Sequence, residues 1–278
     1  MKTRTITGII FVIVMLASVM LGPLVFAGFY LLISCLCLFE FYGLIKQGTA
    51  NPNVPVGILT GALIFAAFAV LCYSGVFSMP GLEGMNTGHK LLFLIPVASA
   101  AIFTTELFAK SEAPFTNIAY TYLGLIFTVV PFTFFHALAY VLGGFNLYLP
   151  LGFLVMLWSN DTGAYLVGRA LGRTKLFERH SPKKTWEGFI GGAIISVAAG
   201  RILGHYYTGL AMQHWIVIAL IISIIGTTGD LVESMLKRSI NVKDSGGLLP
   251  GHGGLLDRFD GLLLAAPIVY TYLYFISN

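Results

Sequence analysis

The sequence predicts an all-α, polytopic membrane protein of about nine transmembrane helices, with a cytoplasmic N-terminus and a C-terminus on the opposite side. Hydrophobic residues make up 57% of the 278 residues and charged residues only 10%, whereas a soluble domain carries about 25% charged residues. Nine segments also approach the roughly 20 apolar residues that cross a bilayer as a helix. This composition excludes a cytosolic enzyme, a disordered chain and a nucleic-acid binder with a basic face.

The nine predicted spans are separated by short connections. They cover residues 6–22, 24–44, 56–77, 90–108, 117–142, 147–168, 188–207, 213–236 and 262–277. The first resembles a secretory signal peptide because Lys2 and Arg4 precede it, but the spans that follow favour an uncleaved helix. Gly22 and Pro23 predict a tight turn before the second span, and the sequence shows no strand pattern. The cysteines are expected to be small apolar side chains within helices: Cys35, Cys37 and Cys72.

The basic residues support the predicted orientation. With the N-terminus in the cytoplasm, 14 of the 16 basic residues fall on the cytoplasmic side, as the positive-inside rule expects. Charged residues are also denser toward the C-terminus. We therefore expect a scaffold of five spans over residues 1–145 and a catalytic region over residues 146–278, with cytoplasmic loops at 169–187 and 237–261.

Two predicted spans carry charge where lipid would surround it. Asp161 follows Asn160 in the sixth span, and Asp230 lies in the eighth. A charged residue at the bilayer centre costs about 2.5–3.5 kcal/mol on insertion scales, so each is a candidate functional residue. The alternative is that such residues cap helix ends and reach the headgroups, which fits Glu233 and Arg238 better than the two aspartates.

The eighth span also places three polar groups on one helical face. Asp230, Ser234 and either Lys237 or Arg238 follow one another at about one-turn intervals. A carboxylate, a hydroxyl and a cation in a row suit a phosphate that is bound together with a metal ion.

The loop after the sixth span is strongly basic, with six cations within residues 168–188. One interpretation is simple attraction to anionic headgroups, worth about 1 kcal/mol per cation. The other is a helix with Ser181 as its N-cap and Pro182 at its first position. Lys183 and Lys184 would then lie at a helix N-terminus, which is a site for anions.

The loop before the last span is rich in glycine and charge. Glycines allow backbone N–H groups to converge on anionic oxygens, and Asp257 and Asp260 lie one helical turn apart. With the nearby Lys and Arg residues, they predict Mg²⁺ bound together with a polyphosphate. The lack of a His/Cys cluster favours a phosphate contact or a structural hydrogen bond for His252 over catalysis.

The run from Ser234 to Asp260 resembles the signature of the phosphatidate cytidylyltransferases, also called CDP-diacylglycerol synthases. That signature reads Ser-x-x-Lys-Arg, four residues, Lys-Asp, then Pro-x-His-Gly-Gly and Asp-Arg-x-Asp, and every fixed position is present. The segment SPKKTWEG at 181–188 and the Asn160-Asp161 pair are also similar to this family. The specific match covers about 100 residues, from the sixth span to the ninth.

The resemblance implies transfer of a cytidylyl group from CTP to phosphatidate in the lipid bilayer, with Mg²⁺ and, as a hypothesis, a second cation such as K⁺. It implies Asp230 and Asp257 as the metal-binding carboxylates. The residues expected to act in catalysis are Lys237, Arg238, Lys243, Asp244, His252, Arg258 and Asp260. Those expected to bind substrate are Asn160, Asp161, Ser181, Lys183, Lys184, Thr185, Glu187, Ser234, Gly253 and Gly254. The site is expected to face the cytoplasm at a bacterial-type inner membrane, and a homodimer is a reasonable assembly.

Two other functions stay open on the sequence alone. A CTP-dependent lipid kinase acting on a polyprenol or diacylglycerol would use much of the same phosphate machinery but release CDP instead of pyrophosphate. An ion-coupled transporter would relay ions through Asp161, Asp230 and Glu233. A transporter should spread its polar residues through the membrane depth. Here they cluster toward one predicted face, which favours an enzyme.

Overall fold

The computed structural model describes residues 2–48, 50–76, 87–247 and 253–277. Within these ranges the chain is mostly helical, as the sequence predicts. The helices are α1 Lys2–Met20, α2 Pro23–Ile45, α3 Val54–Val76, α4 Thr87–Leu92, α5 Leu94–Phe108, α6 Pro114–Gly124, α7 Val130–Leu138, α8 Tyr148–Leu171, α9 Trp186–Tyr206, α10 Met212–Ile221, α11 Thr227–Ser239 and α12 Leu256–Ser277. Two π-helical turns, Leu125–Val129 and Ile222–Gly226, join α6 to α7 and α10 to α11.

Each of the nine predicted spans coincides with helix, but the helices differ in how well they suit a bilayer. Among the described residues, seven helical segments have the length and composition to cross a membrane. The apolar part of α1 is limited to Thr7–Met20, and the continuous helix α8 carries the polar residues Asn160 and Asp161 within it. The seven segments support an integral membrane protein, while the count of nine and the orientation stay predictions.

The start of the chain follows the sequence closely. Gly22 has φ 101° and Pro23 begins α2, which confirms the predicted turn. This φ lies in the left-handed region that favours glycine. The three cysteines lie within the apolar helices α2 and α3: Cys35, Cys37 and Cys72.

The described chain forms two compact units, of which the first comprises Met1–Phe145 together with Asp244–Arg258. Its core is rich in aromatic rings. Phe26 and Tyr30 of α2 pack edge to face at 4.9 Å, and Tyr30 also contacts Phe135 of α7 at 4.9 Å between ring centroids. Such pairs contribute about 0.5–1.5 kcal/mol beyond the area they bury.

The second unit comprises Asn146–Lys243 together with Phe259–Asn278. In it α8 and α9 pack closely through glycines. A Cβ added at Gly163 would lie 3.1 Å from the Cα of Gly192, and one added at Gly192 would lie 2.6 Å from the carbonyl oxygen of Asn160. Small residues at a membrane-helix interface allow this close backbone approach.

The glycine contact predicts a large effect for a small substitution. We expect Gly192→Ala to destabilise the protein by about 1–3 kcal/mol, because the new methyl group meets backbone that cannot move aside. The measurement is thermal unfolding of the purified protein in detergent. Gly28→Ala is the matched control, because a Cβ at Gly28 meets nothing within 4 Å and alanine favours helix by about 1 kcal/mol. Equal melting temperatures for the two variants would contradict the close packing.

A β-hairpin between α8 and α9 corrects the sequence prediction. Strand β1, Lys175–Phe177, pairs antiparallel with strand β2, Ser181–Thr185. The expectations of no strand and of a helix capped by Ser181 are therefore wrong, since α9 begins only at Trp186. Pro182 is tolerated in β2 because both strands of a two-stranded sheet are edges.

Candidate active site

Asp230 lies in the first turn of α11, directly after the π-helical turn Ile222–Gly226. Its carboxylate has two side-chain partners. The Nζ of Lys184 lies 2.6 Å from Oδ2, and the hydroxyl of Ser234 donates a hydrogen bond to Oδ1 at 3.3 Å. The contact with Ser234 confirms that the two residues share one face of a helix. The ion pair connects the basic hairpin to α11, and π-helical turns often occur at functional sites.

Further charged groups surround this ion pair. We call the set the Asp230 cluster: Asp161, Lys184, Asp230, Glu233, Lys237 and Asp260. Asp260 lies within electrostatic range of the other three carboxylates. Glu233 is completely buried and forms an ion pair with Lys237 at 2.9 Å. The cluster therefore brings four carboxyl groups and two ammonium groups together.

Asp260 is brought to the cluster by a close contact between α11 and α12. A Cβ added at Gly229 would clash with the backbone oxygen of Asp260, and one added at Gly261 would lie 3.4 Å from the backbone oxygen of Gly226. The Oδ1 of Asp260 accepts the N–H of Gly261 at 2.6 Å. Small residues therefore fix the position of this carboxylate. The helix α12 also confirms that Asp257 and Asp260 are one helical turn apart.

The hairpin gives two neighbouring lysines different surroundings. Lys184 is partly buried against Asp230, whereas Lys183 is exposed, because successive residues of a strand point to opposite faces. The predicted pair of lysines at a helix N-terminus is therefore wrong. The basic segment instead offers one lysine to a carboxylate and one to solvent.

Thr185 and Glu187 organise the junction between the hairpin and α9. The Thr185 hydroxyl is the N-cap and accepts the N–H of Gly188 at 3.2 Å. The Glu187 carboxylate accepts the backbone N–H groups of Arg173 and Thr174 at 3.1 Å each. The Thr185 cap satisfies an N–H group that a helix itself leaves without an acceptor, and Glu187 satisfies two N–H groups of the segment between α8 and β1. The two residues thereby help to hold the strand that carries Lys184.

A second polar arrangement lies in the first unit, and we call it the Asp257 loop: residues 244–247 and 253–257. The Oδ2 of Asp257 accepts the backbone N–H groups of Ser245 and Gly254, both at 2.9 Å. In return, the N–H of Asp257 donates to the Ser245 hydroxyl at 3.3 Å. Gly253 has φ 82°, a conformation that favours glycine. In residues 244–247 and 253–257, backbone N–H groups therefore orient the Asp257 side chain, while the predicted binding of phosphate oxygens by such groups stays a prediction.

The remaining predicted residues are in varied surroundings. Asn160 is buried in α8, where its Oδ1 would lie 3.0 Å from a Cβ added at Gly192, and Ser181 is half-buried in β2. Five predicted residues are exposed to solvent or lipid: Asp161, Arg238, Lys243, Asp244 and Arg258. His252 lies outside the described residues.

Glu40 in α2 contacts the Asp257 loop, although the sequence assigns the N-terminal half to scaffold. Its Oε2 accepts the N–H of Leu256 at 2.8 Å and lies 3.5 Å from the Ser245 hydroxyl. The available signal was a lone carboxylate within a 23-residue apolar helix, the same signal that singled out Asp161 and Asp230.

Two carboxylates, one in each unit, are of a chemical kind that suits Mg²⁺. Asp230 and Asp257 offer hard carboxylate oxygens, which Mg²⁺ prefers. Across the described ranges, no group of three or more His, Cys, Asp or Glu side chains is arranged to hold a metal ion. Mg²⁺ is commonly bound by one or two carboxylates plus substrate phosphates, so a complete protein cage is not required.

The apolar helices of the described chain define an integral membrane protein. A family model described as the cytidylyltransferase family matches residues 2–276, and the chain belongs to that family. It is 34% identical to the phosphatidate cytidylyltransferase of Bacillus subtilis (strain 168), over 97% of this chain and 96% of that protein. It is 33% identical to the protein of the same name from Staphylococcus aureus (strain COL), over 97% of each. These matches make the chain an enzyme of the cytidylyltransferase type.

Proposed function

We propose that this chain transfers the cytidylyl group of CTP to phosphatidate and forms CDP-diacylglycerol and pyrophosphate for phospholipid synthesis. The observation that carries the proposal is the ion pair between Lys184 and Asp230. It joins two segments, distant in the sequence, that both resemble phosphatidate cytidylyltransferase motifs. The relatives that bear this name match almost the whole chain, which supports the same substrates here.

The reaction joins two phosphates and needs no protein nucleophile. An oxygen of the phosphatidate phosphate attacks the α-phosphorus of CTP and forms the new P–O bond. The bond from the α-phosphorus to the oxygen that bridges to the β-phosphate breaks, and pyrophosphate leaves with the electron pair. A phosphomonoester has a second pKa of about 6, so the nucleophile is largely dianionic at neutral pH. A general base is therefore unnecessary.

The main barrier is the repulsion between two anionic substrates, so positioning and fixed charge dominate catalysis. Mg²⁺, with Asp230 and Asp257 as its proposed carboxylates, would neutralise phosphate oxygens as a Lewis acid. In this proposal Lys184 and Arg238 bind and orient the phosphates. A second cation such as K⁺ beside Mg²⁺ is part of the proposal.

The proposed location is the cytoplasmic side of a bacterial inner membrane. CTP then reaches the site from water, while phosphatidate keeps its acyl chains among the apolar helices and exposes only its phosphate. The predicted cytoplasmic position of most basic residues supports this orientation. A homodimer is the proposed assembly.

Product analysis with differently labelled CTP tests the proposal. Purified protein in mixed micelles receives Mg²⁺ and either α- or γ-³²P-labelled CTP, with phosphatidate, diacylglycerol or a polyprenol as acceptor. We expect only the α-label to enter lipid, and only with phosphatidate. Entry of the γ-label into diacylglycerol or polyprenol would instead identify a lipid kinase. Absence of any nucleotide turnover by folded protein would remove the enzyme and favour the transporter.

Loss of the Lys184 ammonium should impair the reaction without unfolding the protein. We expect Lys184→Met to lower kcat/KM for CTP by about 10–100-fold, a cost typical of groups that orient metal ligands, because Asp230 loses its partner and the phosphates lose a cation. Initial rates over a range of CTP concentrations provide the measurement. Lys46→Met is the matched control, since Lys46 is exposed after α2. Unchanged kcat/KM in folded Lys184→Met would contradict a role for the ion pair.

A further inference from the structure

Glu40 is a buried carboxylate that the proposed reaction does not use. Its residue is only 6% exposed, and it lies in an otherwise apolar stretch of α2. Burial of an ion costs several kcal/mol unless partners compensate for the lost water. Among the residues that the structure describes, its Oε1 has no hydrogen-bond partner.

The other oxygen of Glu40 meets both ends of the Asp257 loop. Oε2 accepts the N–H of Leu256 at 2.8 Å and lies 3.5 Å from the hydroxyl of Ser245. Leu256 is the first residue of α12, where N–H groups lack intrahelical acceptors and negative charge is favoured. Because Leu256 is fully buried, water does not replace this acceptor.

Hydrogen bonds link Glu40 to Asp257 through Ser245 of the loop. Ser245 accepts the N–H of Asp257 through its hydroxyl and donates its own N–H to the Asp257 carboxylate. The loop is also pressed against Glu40. A Cβ added at Gly246 would lie 2.5 Å from Oε1, and one added at Gly254 would lie 2.8 Å from Oε2. Glu40 therefore contacts Ser245, which exchanges two hydrogen bonds with Asp257.

We propose that Glu40 is a positioning residue for catalysis, which acts through Ser245 and Leu256 to hold the Asp257 carboxylate ready for its metal ion. The inference rests on the proposed function. It assigns a role in the reaction to the N-terminal part of the chain, because Glu40 of α2 contacts the Asp257 loop. A carboxylate supplies stronger hydrogen bonds than a neutral group, which explains why Glu is present despite its burial.

Hydrogen–deuterium exchange of the metal-free protein tests the anchor without any activity. We expect the segment 253–257 to exchange at least about tenfold faster in Glu40→Ala, because each lost hydrogen bond to a charged group is worth about 1.5–3 kcal/mol. Glu40→Gln should show a smaller increase, because its amide oxygen can still accept the N–H of Leu256. Glu112→Gln is the control, since Glu112 is an exposed carboxylate of the same unit. Unchanged exchange in both Glu40 variants would overturn the proposal.

The dependence of activity on Mg²⁺ separates positioning from a general structural role. We expect the half-saturating Mg²⁺ concentration to rise about 10–100-fold in Glu40→Ala, as for other groups that orient metal ligands, with partial rescue in Glu40→Gln. An unchanged Mg²⁺ dependence in variants whose loop exchanges faster would overturn the positioning role. If Glu40→Ala does not fold, both measurements are made on Glu40→Gln. The proposal would be overturned if Glu40→Gln matched wild type both in the exchange of residues 253–257 and in its half-saturating Mg²⁺ concentration.

Failure of this inference and failure of the proposed function are distinguishable. Wild-type protein that moves no α-label from CTP to phosphatidate refutes the function, whereas the exchange experiment still reports on Glu40. Ser245→Ala provides a further check. Because Ser245 lies on the same path as Glu40, the two substitutions should raise the half-saturating Mg²⁺ concentration by less in combination than the product of their separate effects.

Discussion

Asp257→Asn is expected to lower kcat by about a thousandfold, the size of effect found when one preorganised electrostatic group is removed from an active site. The amide removes the negative charge that Mg²⁺ requires. Its remaining carbonyl oxygen can still accept the N–H groups that Asp257 Oδ2 receives from Ser245 and Gly254, so the loop should keep its fold. The measurement is the initial rate of α-label transfer at saturating CTP and phosphatidate.

The control for Asp257→Asn must remove a carboxylate without touching the loop. Glu178→Gln does so, because Glu178 is exposed in the turn of the hairpin, and it should retain full activity. Membrane insertion and thermal unfolding should match wild type in both variants. Retention of more than about a tenth of the wild-type rate by folded Asp257→Asn would refute its metal-binding role, given the size expected for such a group.

Asp230→Asn is expected to have an effect of similar size, about a thousandfold on kcat. The substitution removes a proposed metal carboxylate and the acceptor of the 2.6 Å ion pair with Lys184. The asparagine oxygen can still accept the Ser234 hydroxyl, so the helix should fold unchanged. Measurement of kcat over a range of Mg²⁺ concentrations shows whether added metal restores activity, and we expect that it does not.

A double substitution tests whether the two residues act together. Because Lys184 and Asp230 form one ion pair, the combination Asp230→Asn with Lys184→Met should be about as active as Asp230→Asn alone. If the fold-loss of activity in the double variant equals the product of the two separate fold-losses, the residues act independently and the ion pair does not contribute to catalysis.

Sequence patterns predicted the helices well because apolar length is a strong physical constraint. A chain of this composition must satisfy its backbone within helices wherever lipid surrounds it, and each predicted span contains helix. The polar residues Asp161 and Asp230 stood out for the same reason, since charge in an apolar run is costly. Both belong to the Asp230 cluster. The Gly22-Pro23 turn was equally readable, because few residues adopt its backbone angles.

The hairpin was not predictable because its signals are local and ambiguous. Ser181 followed by Pro182 is typical of a helix start, yet Pro182 lies in an edge strand and Thr185 takes the N-cap position. Three to five residues show too little periodicity to distinguish a short strand from a loop. The missed strand also affects the predicted site, because it is the strand that gives Lys183 and Lys184 different surroundings.

Glu40 was missed because its importance depends on a distant contact. Within α2 it is a single carboxylate, and nothing nearby in the sequence indicates a partner. The contact with Ser245 and Leu256 joins residues more than 200 positions apart, which hydrophobic periodicity does not report. The density of charge along the sequence assigned function to the C-terminal half. In the fold, however, Glu40 of the N-terminal half contacts the Asp257 loop.

The path of oxygen in the reaction tests the proposed chemistry most directly. Phosphatidate whose phosphate oxygens are ¹⁸O-labelled is incubated with CTP, Mg²⁺ and the purified protein, and the products are analysed by mass spectrometry. Attack of the lipid phosphate on the α-phosphorus predicts that all the label stays in CDP-diacylglycerol, including the new bridging oxygen, and that pyrophosphate carries none. Label in pyrophosphate, or CDP as the nucleotide product, would contradict cytidylyl transfer by this enzyme.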